Sequence, residues 1–548
     1  MRAIRHGHGR RWSAVFAAVG AISLTAACST GGGGGNVADP DQQVGNDSAL
    51  PSFVPVEYVE PDFPSVEGST AGFATVPEEF VQVFDTPPGS GGSYTVMTPL
   101  WGTIPPTEGN QYFDGVNEAI GTDLTFQISD GNTYGDKLAA VLASPKDVAD
   151  WVSIPSWNVP PRFGQAVDTI FTDLTPYLAG DAVEAYPNLA NIPTDAWRAC
   201  MWNGKLYGLP FPGELVNDAT FYRADLLPEG TALPTDADEA LDFVASLTDA
   251  DARQWGSNDL WILATQMFSV VPKWTQDEEG NLVHRVETQE YRDALEWMST
   301  LYASGAVHPD AVAESGDGKE RFESGQVLVT SDGVGAWHEA LGRNLPSNPG
   351  FDQQPLPLIA DDGGEPKIFK GGAASMCSYL KKTDTEGAIE ELLEAANFLA
   401  SPYGTAEYQL VNYGVEGVHY TLDENRLPVA TDLAATEVQP SYIFLVDPPV
   451  VNAKVQYPGY VEDFTTWMAD AAPYVEEPLF YGMQITEPAQ YASLGQPFED
   501  LEKDVARGRK TLDDLDAAVE TWRTSGGEEL RAYYQEILDG GSPESDGE

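Results

Sequence analysis

The 548 residues include 85 acidic against 29 basic side chains, a formal charge of −56; a surface that negative repels phosphate backbones and anionic lipid, so nucleic acid is excluded as a partner. With 42% hydrophobic and 11% aromatic residues, the chain buries a large core and divides into two or more domains. No uninterrupted apolar run after Cys28 approaches the ~20 residues that a membrane-spanning helix needs.

The first residues read as an export signal. Basic MRAIRHGHGRR gives way to apolar WSAVFAAVGAISL and then to small residues before Cys28, so residues 1–27 are a signal peptide. Its removal takes away Arg2, Arg5, Arg10 and Arg11 and no acid, which leaves the mature chain more negative still. The ending TAAC resembles a lipobox, with Thr25 where Leu is usual and Leu24 one place early. Cys28 would then be lipidated and become the new N-terminus. A short membrane anchor is the alternative, and Arg10 with Arg11 hints at twin-arginine export. Residues 29–50 are rich in Gly, Asp and Asn with little to bury, so they read as a tether. The whole of 28–92 is assigned as the lipidated Cys and a flexible acidic linker.

Regular elements begin at SYTVMTPLW, an apolar strand from Ser93 to Trp101. A helix follows with Tyr112, Phe113, Val116 and Ile120 at helical spacing, then a strand from Asp123 to Ile128 in which Leu124, Phe126 and Ile128 alternate. A second helix carries Leu138, Val141 and Leu142 and leads into the strand-like DVADWVSI. This alternation predicts a parallel sheet covered by helices, with ligands beyond the carboxyl ends of its strands. Trp101 and Trp157 fall just past such ends. Further on, KWTQDEEGNLVHRV predicts a hairpin turning at Glu279 and Gly280. Helical faces follow at 288–304 and 385–400, with a C-terminal pair broken at Gly526 and Gly527. The last residues, 540–548, read as a disordered tail. Cys200 and Cys377 are either two buried small side chains or one bridge, which an exported location permits.

These residues carry a resemblance. DLTPYL (Asp173 to Leu178), WNGKLYGLP (Trp202 to Pro210), FYRADLLPE (Phe221 to Glu229) and LYASGAVHPD (Leu301 to Asp310) resemble the extracellular solute-binding proteins (family 1) of bacterial ABC importers. DEEGNLVHRVETQEYRDALEWM, YGVEGVHYTLDENRLPV and TWRTSGGEELRAYY are similar to its large oligosaccharide-binding lipoprotein branch, which includes alginate-oligosaccharide binders. The likeness runs from about residue 93 to 539. It implies an α/β, two-lobed periplasmic-binding-protein fold of the type II, Venus-flytrap kind, with three interlobe crossings. The expected lobes are 93–210 plus 371–440 and 211–370 plus 441–539.

The first crossing is expected at Leu209 to Glu214, where Pro210 and Pro212 deny donors to a continuing strand and Gly213 eases the bend. Glu214 and Asn217 would face the cleft. The others are expected near Phe369 to Ala373 and Pro440 to Val451. A neutral sugar offers apolar C–H faces and hydroxyls, so its site needs aromatic platforms and a few polar groups. Candidates in the first lobe are Trp101, Trp157 and Asn158; in the second, Trp274, Asp332 and Trp337. Ordinary core packing is the alternative for each Trp, and it is the expectation for Trp467 and Trp522.

The resemblance implies a monomer that binds a small-molecule carbohydrate, a neutral oligosaccharide, and delivers it to an ABC permease when ligand closes the lobes. It implies a cell-surface lipoprotein on the outer face of the cytoplasmic membrane, touching the membrane through its lipid anchor only. A surface protein for another ligand class is one rival reading, and a glycoside hydrolase with paired carboxylates is another. Against enzyme chemistry, there is no G-x-S-x-G or H-E-x-x-H, and only six histidines, two of them in the signal. No cofactor is expected, and no metal: the acidic turns at Asp277 to Asn281 and Asp361 to Gly364 lack the D-x-[DN]-x-[DN]-G spacing of a calcium loop.

Overall fold

Between residues 93 and 155 the apolar period switches between 2 and 3.6, and each stretch becomes the element its period requires. The computed structural model describes residues 47–160, 163–424, 426–485 and 487–540. It begins this region with β1 (Ser93–Leu100), α1 (Gln111–Ile120), β2 (Asp123–Asp130), α2 (Tyr134–Leu142) and β3 (Trp151–Pro155). Helix α1 starts where the Asn110 side chain accepts from the Tyr112 and Phe113 N–H groups, and it stops where Gly121 turns left-handed at φ 76°. β1 runs parallel to both β2 and β3. The chain then reaches β4 (Gly208–Pro212), leaves this sheet, and opens a second one at β5 (Asp218–Arg223).

The second sheet adds β6 (Trp255–Ser257) and, after the expected hairpin of β7 (Trp274–Gln276) and β8 (Leu282–His284), β9 (Val327–Gly333) and β10 (Gln353–Pro355). Its order is β10-β5-β9-β6. β9 is antiparallel to β5, with Gly333 opposite Asp218, and parallel to β6. Past β11 (Ile368–Phe369) the chain returns to the first sheet as β12 (Ala374–Leu380). β12 lies between β3 and β4 and opposes both, giving the order β2-β1-β3-β12-β4. β3 and β4 therefore run the same way. Leu100, Pro155 and Pro212 thus share one end of the sheet, the end from which the chain crosses over.

Each sheet anchors its own core. The first gathers Val96, Val152, Tyr112, Val116, Leu393 and Phe398. The second is flanked by two clusters, one around Leu263, Tyr291, Leu295 and Trp522, the other around Phe221, Trp337, Tyr460 and Phe464. Cys200 and Cys377 form a disulfide with Cα atoms 5.6 Å apart, so of the two alternatives the bridge is the one realised. It ties the approach to β4 to the middle of β12, inside the first lobe.

Three boundaries move relative to expectation. Leu209 to Pro212 remain in β4, so the first crossing is the segment 213–217. Tyr442, Leu445 and Val446 are fully buried in the first core, which places the start of the third crossing at Asp447 rather than Pro440. The assigned flexible linker is packed from residue 47 onward. Ala49 and Leu50 enter the first core; Val54 N–H donates to Ala190 O (2.8 Å); Ala71–Gly72 pairs with Val451–Asn452. Phe73 packs at a tilt on Tyr403 with ring centroids 4.4 Å apart, and Val83 and Phe84 N–H both donate to the Glu407 carboxylate. Residues 47–92 therefore form a strap that crosses the junction between lobes and returns. The proposed signal, Cys28, the tether at 29–46 and the tail at 541–548 lie outside the described residues. Among the described residues no helix is long and apolar enough to cross a membrane.

Candidate ligand-binding site

The shared end of the first sheet carries a row of aromatic rings. Trp101 directly follows β1 and lies flat on the turn after β2, where a Cβ on Gly131 would sit 2.3 Å from the indole. Trp157 follows β3 and is 60% exposed. The two rings are 5.8 Å apart. Phe444 meets Trp101 edge-on at 5.9 Å, and Phe211 of β4 meets Phe444 at 6.3 Å. The row Trp157, Trp101, Phe444, Phe211 thus leads from the sheet end to the first crossing. Asn158 stands beside it, its amide nitrogen against Gly135 and its Oδ1 buried without a hydrogen-bond partner among the described residues.

Past the first crossing, the second sheet presents the start of β5 and the carboxyl end of β9 together, because those strands are antiparallel. Asp218 and Asp332 stand there, both exposed but walled by protein. Desolvation raises the Asp332 carboxyl above the usual carboxylate range. Asp218 is raised too, first by desolvation and then by the Asp332 charge. Gln266 donates to Asp218 O (3.0 Å) and fixes that strand start.

Between the two walls, the crossings touch. Gly213 N–H donates to Ala373 O (3.1 Å), and a Cβ on Gly213 would lie 2.3 Å from Gly372 O, so a larger residue does not fit. The Asn217 amide packs against Gly371. Glu214 is part-buried, and its carboxylate accepts from the Thr70 hydroxyl of the strap. Desolvation pushes Glu214 up to about 7, against the lowering effect of that hydrogen bond.

Residues 111–409, more than half of the chain, match the bacterial extracellular solute-binding protein family. The chain belongs to that family. A curated relative is the polygalacturonan/rhamnogalacturonan-binding protein YtcQ of Bacillus subtilis strain 168, 22% identical over 386 residues, covering 66% of this chain and 75% of its own. Lipoprotein LipO of the same strain is 23% identical over 484 residues, covering 81% and 91%. Among solved structures, the N-glycan transport solute binding protein NgtS from Streptococcus pneumoniae is similar with a TM-score of 0.59 at 15% identity, covering 82% of this chain and 99% of that one. The shared fold is α/β and two-lobed.

In this solute-binding protein the eight candidates separate. Trp101, Trp157 and Asn158 gather on the first-lobe wall, and Asp332 stands on the second. Glu214 and Asn217 sit at the crossing itself, with Glu214 engaged by Thr70 and Asn217 wedged against Gly371. Trp337 does not face ligand: it is 1% exposed, between Phe221, Tyr460 and Phe464, because it occupies the inward face of the helix Gly335–Asn344 with Ala340 and Leu341. Trp274 is buried likewise, among His284, Trp522 and Tyr534. Its hairpin borders a separate cavity of about 320 Å³ with Phe369, Lys367 and Glu476, all on second-lobe elements. Phe211 and Phe444 were missed. The signal for Phe211 was its place between the two prolines of the expected hinge, and for Phe444 the run SYIFLVDPP at the expected third crossing.

Proposed function

We propose that this protein captures a carbohydrate, a neutral oligosaccharide, between its two lobes and hands it to an ABC import permease, acting by binding and release with no bond made or broken. The observation that carries the reading is the aromatic row ending in Trp157, an indole left 60% exposed at a sheet's carboxyl end. Flat rings in such a row suit the C–H faces of successive sugar units, and the unpartnered Asn158 Oδ1 suits a hydroxyl. The names of YtcQ and NgtS, which refer to polygalacturonan and rhamnogalacturonan binding and to N-glycan transport, support the carbohydrate class. Neutrality is argued from charge: Asp218 and Asp332 oppose a uronate, and basic residues are few. Export as a lipoprotein anchored through Cys28, as a monomer, completes the proposal; LipO's name supports the anchor.

The test is a thermal-shift screen, because a ligand that binds only the folded state raises the midpoint by mass action. Neutral oligosaccharides should raise it at concentrations where galacturonate oligomers do not. A shift with uronates alone overturns neutrality, and a shift with peptides alone overturns the carbohydrate class.

A further inference from the structure

The junction between lobes holds more ionisable groups than a hinge needs. Glu214 lies on the first crossing and Asp447 opens the third, where its N–H meets Pro210 O at 3.4 Å, beside the end of β4. The Glu214 charge opposes ionisation of Asp447. Thr70 reaches Glu214 from the strap. Lys454, farther along the third crossing, faces Asp447 and also feels Glu339. From the helix Tyr460–Ala471, Tyr460 faces Glu214. From the helix Gly335–Asn344, His338 packs 6.0 Å from the Tyr460 ring and feels Lys454 and Arg343. Groups from the strap, the first and third crossings and two second-lobe helices thus act on the same pair of carboxyls.

We propose that Glu214, held at the junction by Thr70 of the strap, and Asp447, at the start of the third crossing, act as positioning residues that make the balance between lobe arrangements depend on proton uptake. Neither belongs to the aromatic row, so their proposed action on ligand is indirect. The chemistry is the cost of burying charge. Desolvation raises Glu214 to about 7 and Asp447 to about 8; Lys454 lowers Asp447 and the Glu214 charge raises it further. Lys454 is itself held below its usual range by the same desolvation. Any lobe rotation that hydrates the two carboxyls favours their charged forms and releases protons. Lower pH therefore favours the arrangement described above, and higher pH favours the rotated one. The Thr70 hydroxyl, donating to the carboxylate, sets where the change falls.

The test needs no ligand, so its failure is separate from any failure of the carbohydrate reading. Spin labels on Glu118→Cys in the first lobe and Glu320→Cys in the second, both exposed, report lobe separation in the ligand-free full chain by double electron–electron resonance. The expected result is a shift of population between two separations from pH 5.5 to pH 8.5. The double variant Glu214→Gln/Asp447→Asn should keep the low-pH distribution throughout. Thr70→Val should move the midpoint to higher pH, and Thr70→Ser should restore it, which a merely structural role would not do. A wild type whose separation ignores pH overturns the proposal. So does a double variant that responds as the wild type does. If that variant does not fold, the Thr70 pair decides: a midpoint unmoved by Thr70→Val overturns the proposal, and a moved and restored one supports it.

Discussion

Trp157 leaves 60% of its surface in solvent, and a ring that buries so little adds little to the fold. Trp157→Ala should therefore change stability by about 0.5 kcal/mol or less, while ring stacking worth ~0.5–1.5 kcal/mol predicts an affinity loss of up to about tenfold. Calorimetry on the sugar found by the screen, beside a denaturant melt, checks both halves. Trp337→Ala should do the reverse. At 1% exposure its loss leaves a cavity costing ~3–5 kcal/mol, read as a lower denaturation midpoint. The two residues share a sequence context, each just past a strand. What separated them was already in the chain: Trp337, Ala340 and Leu341 have the i, i+3, i+4 spacing of an inward helix face, whereas Trp157 sits in the single 3-10 turn Ser156–Asn158 with no such stripe.

At the scale of elements, the disulfide joins residues 177 apart in sequence. A cross-link over so long a loop restricts the unfolded chain strongly, so Cys200→Ala/Cys377→Ala should lose ~2–5 kcal/mol. Equilibrium unfolding with and without reductant would show it. The sequence left the bridge open because neither cysteine's position predicts its neighbour in space. The β1–β3 unit was legible because its periods are clean and α1 has both caps. The strap was not. Its Phe53, Val54 and Phe73 have no period, its prolines and acids read as linker, and it is ordered by contacts distant in sequence, among them those with Tyr403, Glu407 and Gly180. For the same reason Tyr442 and Leu445 were assigned to the third crossing: an irregular segment carries no mark of which core receives it.

Over the whole molecule, pH acts through groups of opposite sense. Burial depresses His284 to about 3, with Lys273, Arg285 and Arg531 adding to it. Its unfolded value is near the ordinary 6.5, so the unfolded chain binds the extra proton between those limits. Stability from the neutral ring is complete above about 6.5 and is lost as pH falls toward 3. His284→Gln should flatten the fall of the thermal midpoint between pH 6.5 and 4, even where it lowers the midpoint at pH 7. A variant as acid-sensitive as the wild type would contradict this. The two-lobed architecture was legible through the family resemblance that the order of motifs from DLTPYL to the closing helices carries. Which walls met across the junction was not, because that depends on strand directions set by β12 returning between β3 and β4.

One consequence of the bridge concerns cutting rather than folding. Because Cys200 precedes the exit to the second lobe and Cys377 follows the return, the entire span from Met201 to Met376 is a covalent ring. A protease that nicks the exposed hairpin tip near Glu278 and Glu279 severs the thread without parting the pieces. On a gel the clipped protein should migrate as a single band until thiol is added and then resolve into two fragments. A receptor that works among extracellular proteases would thus keep both halves of its clamp after a first bite.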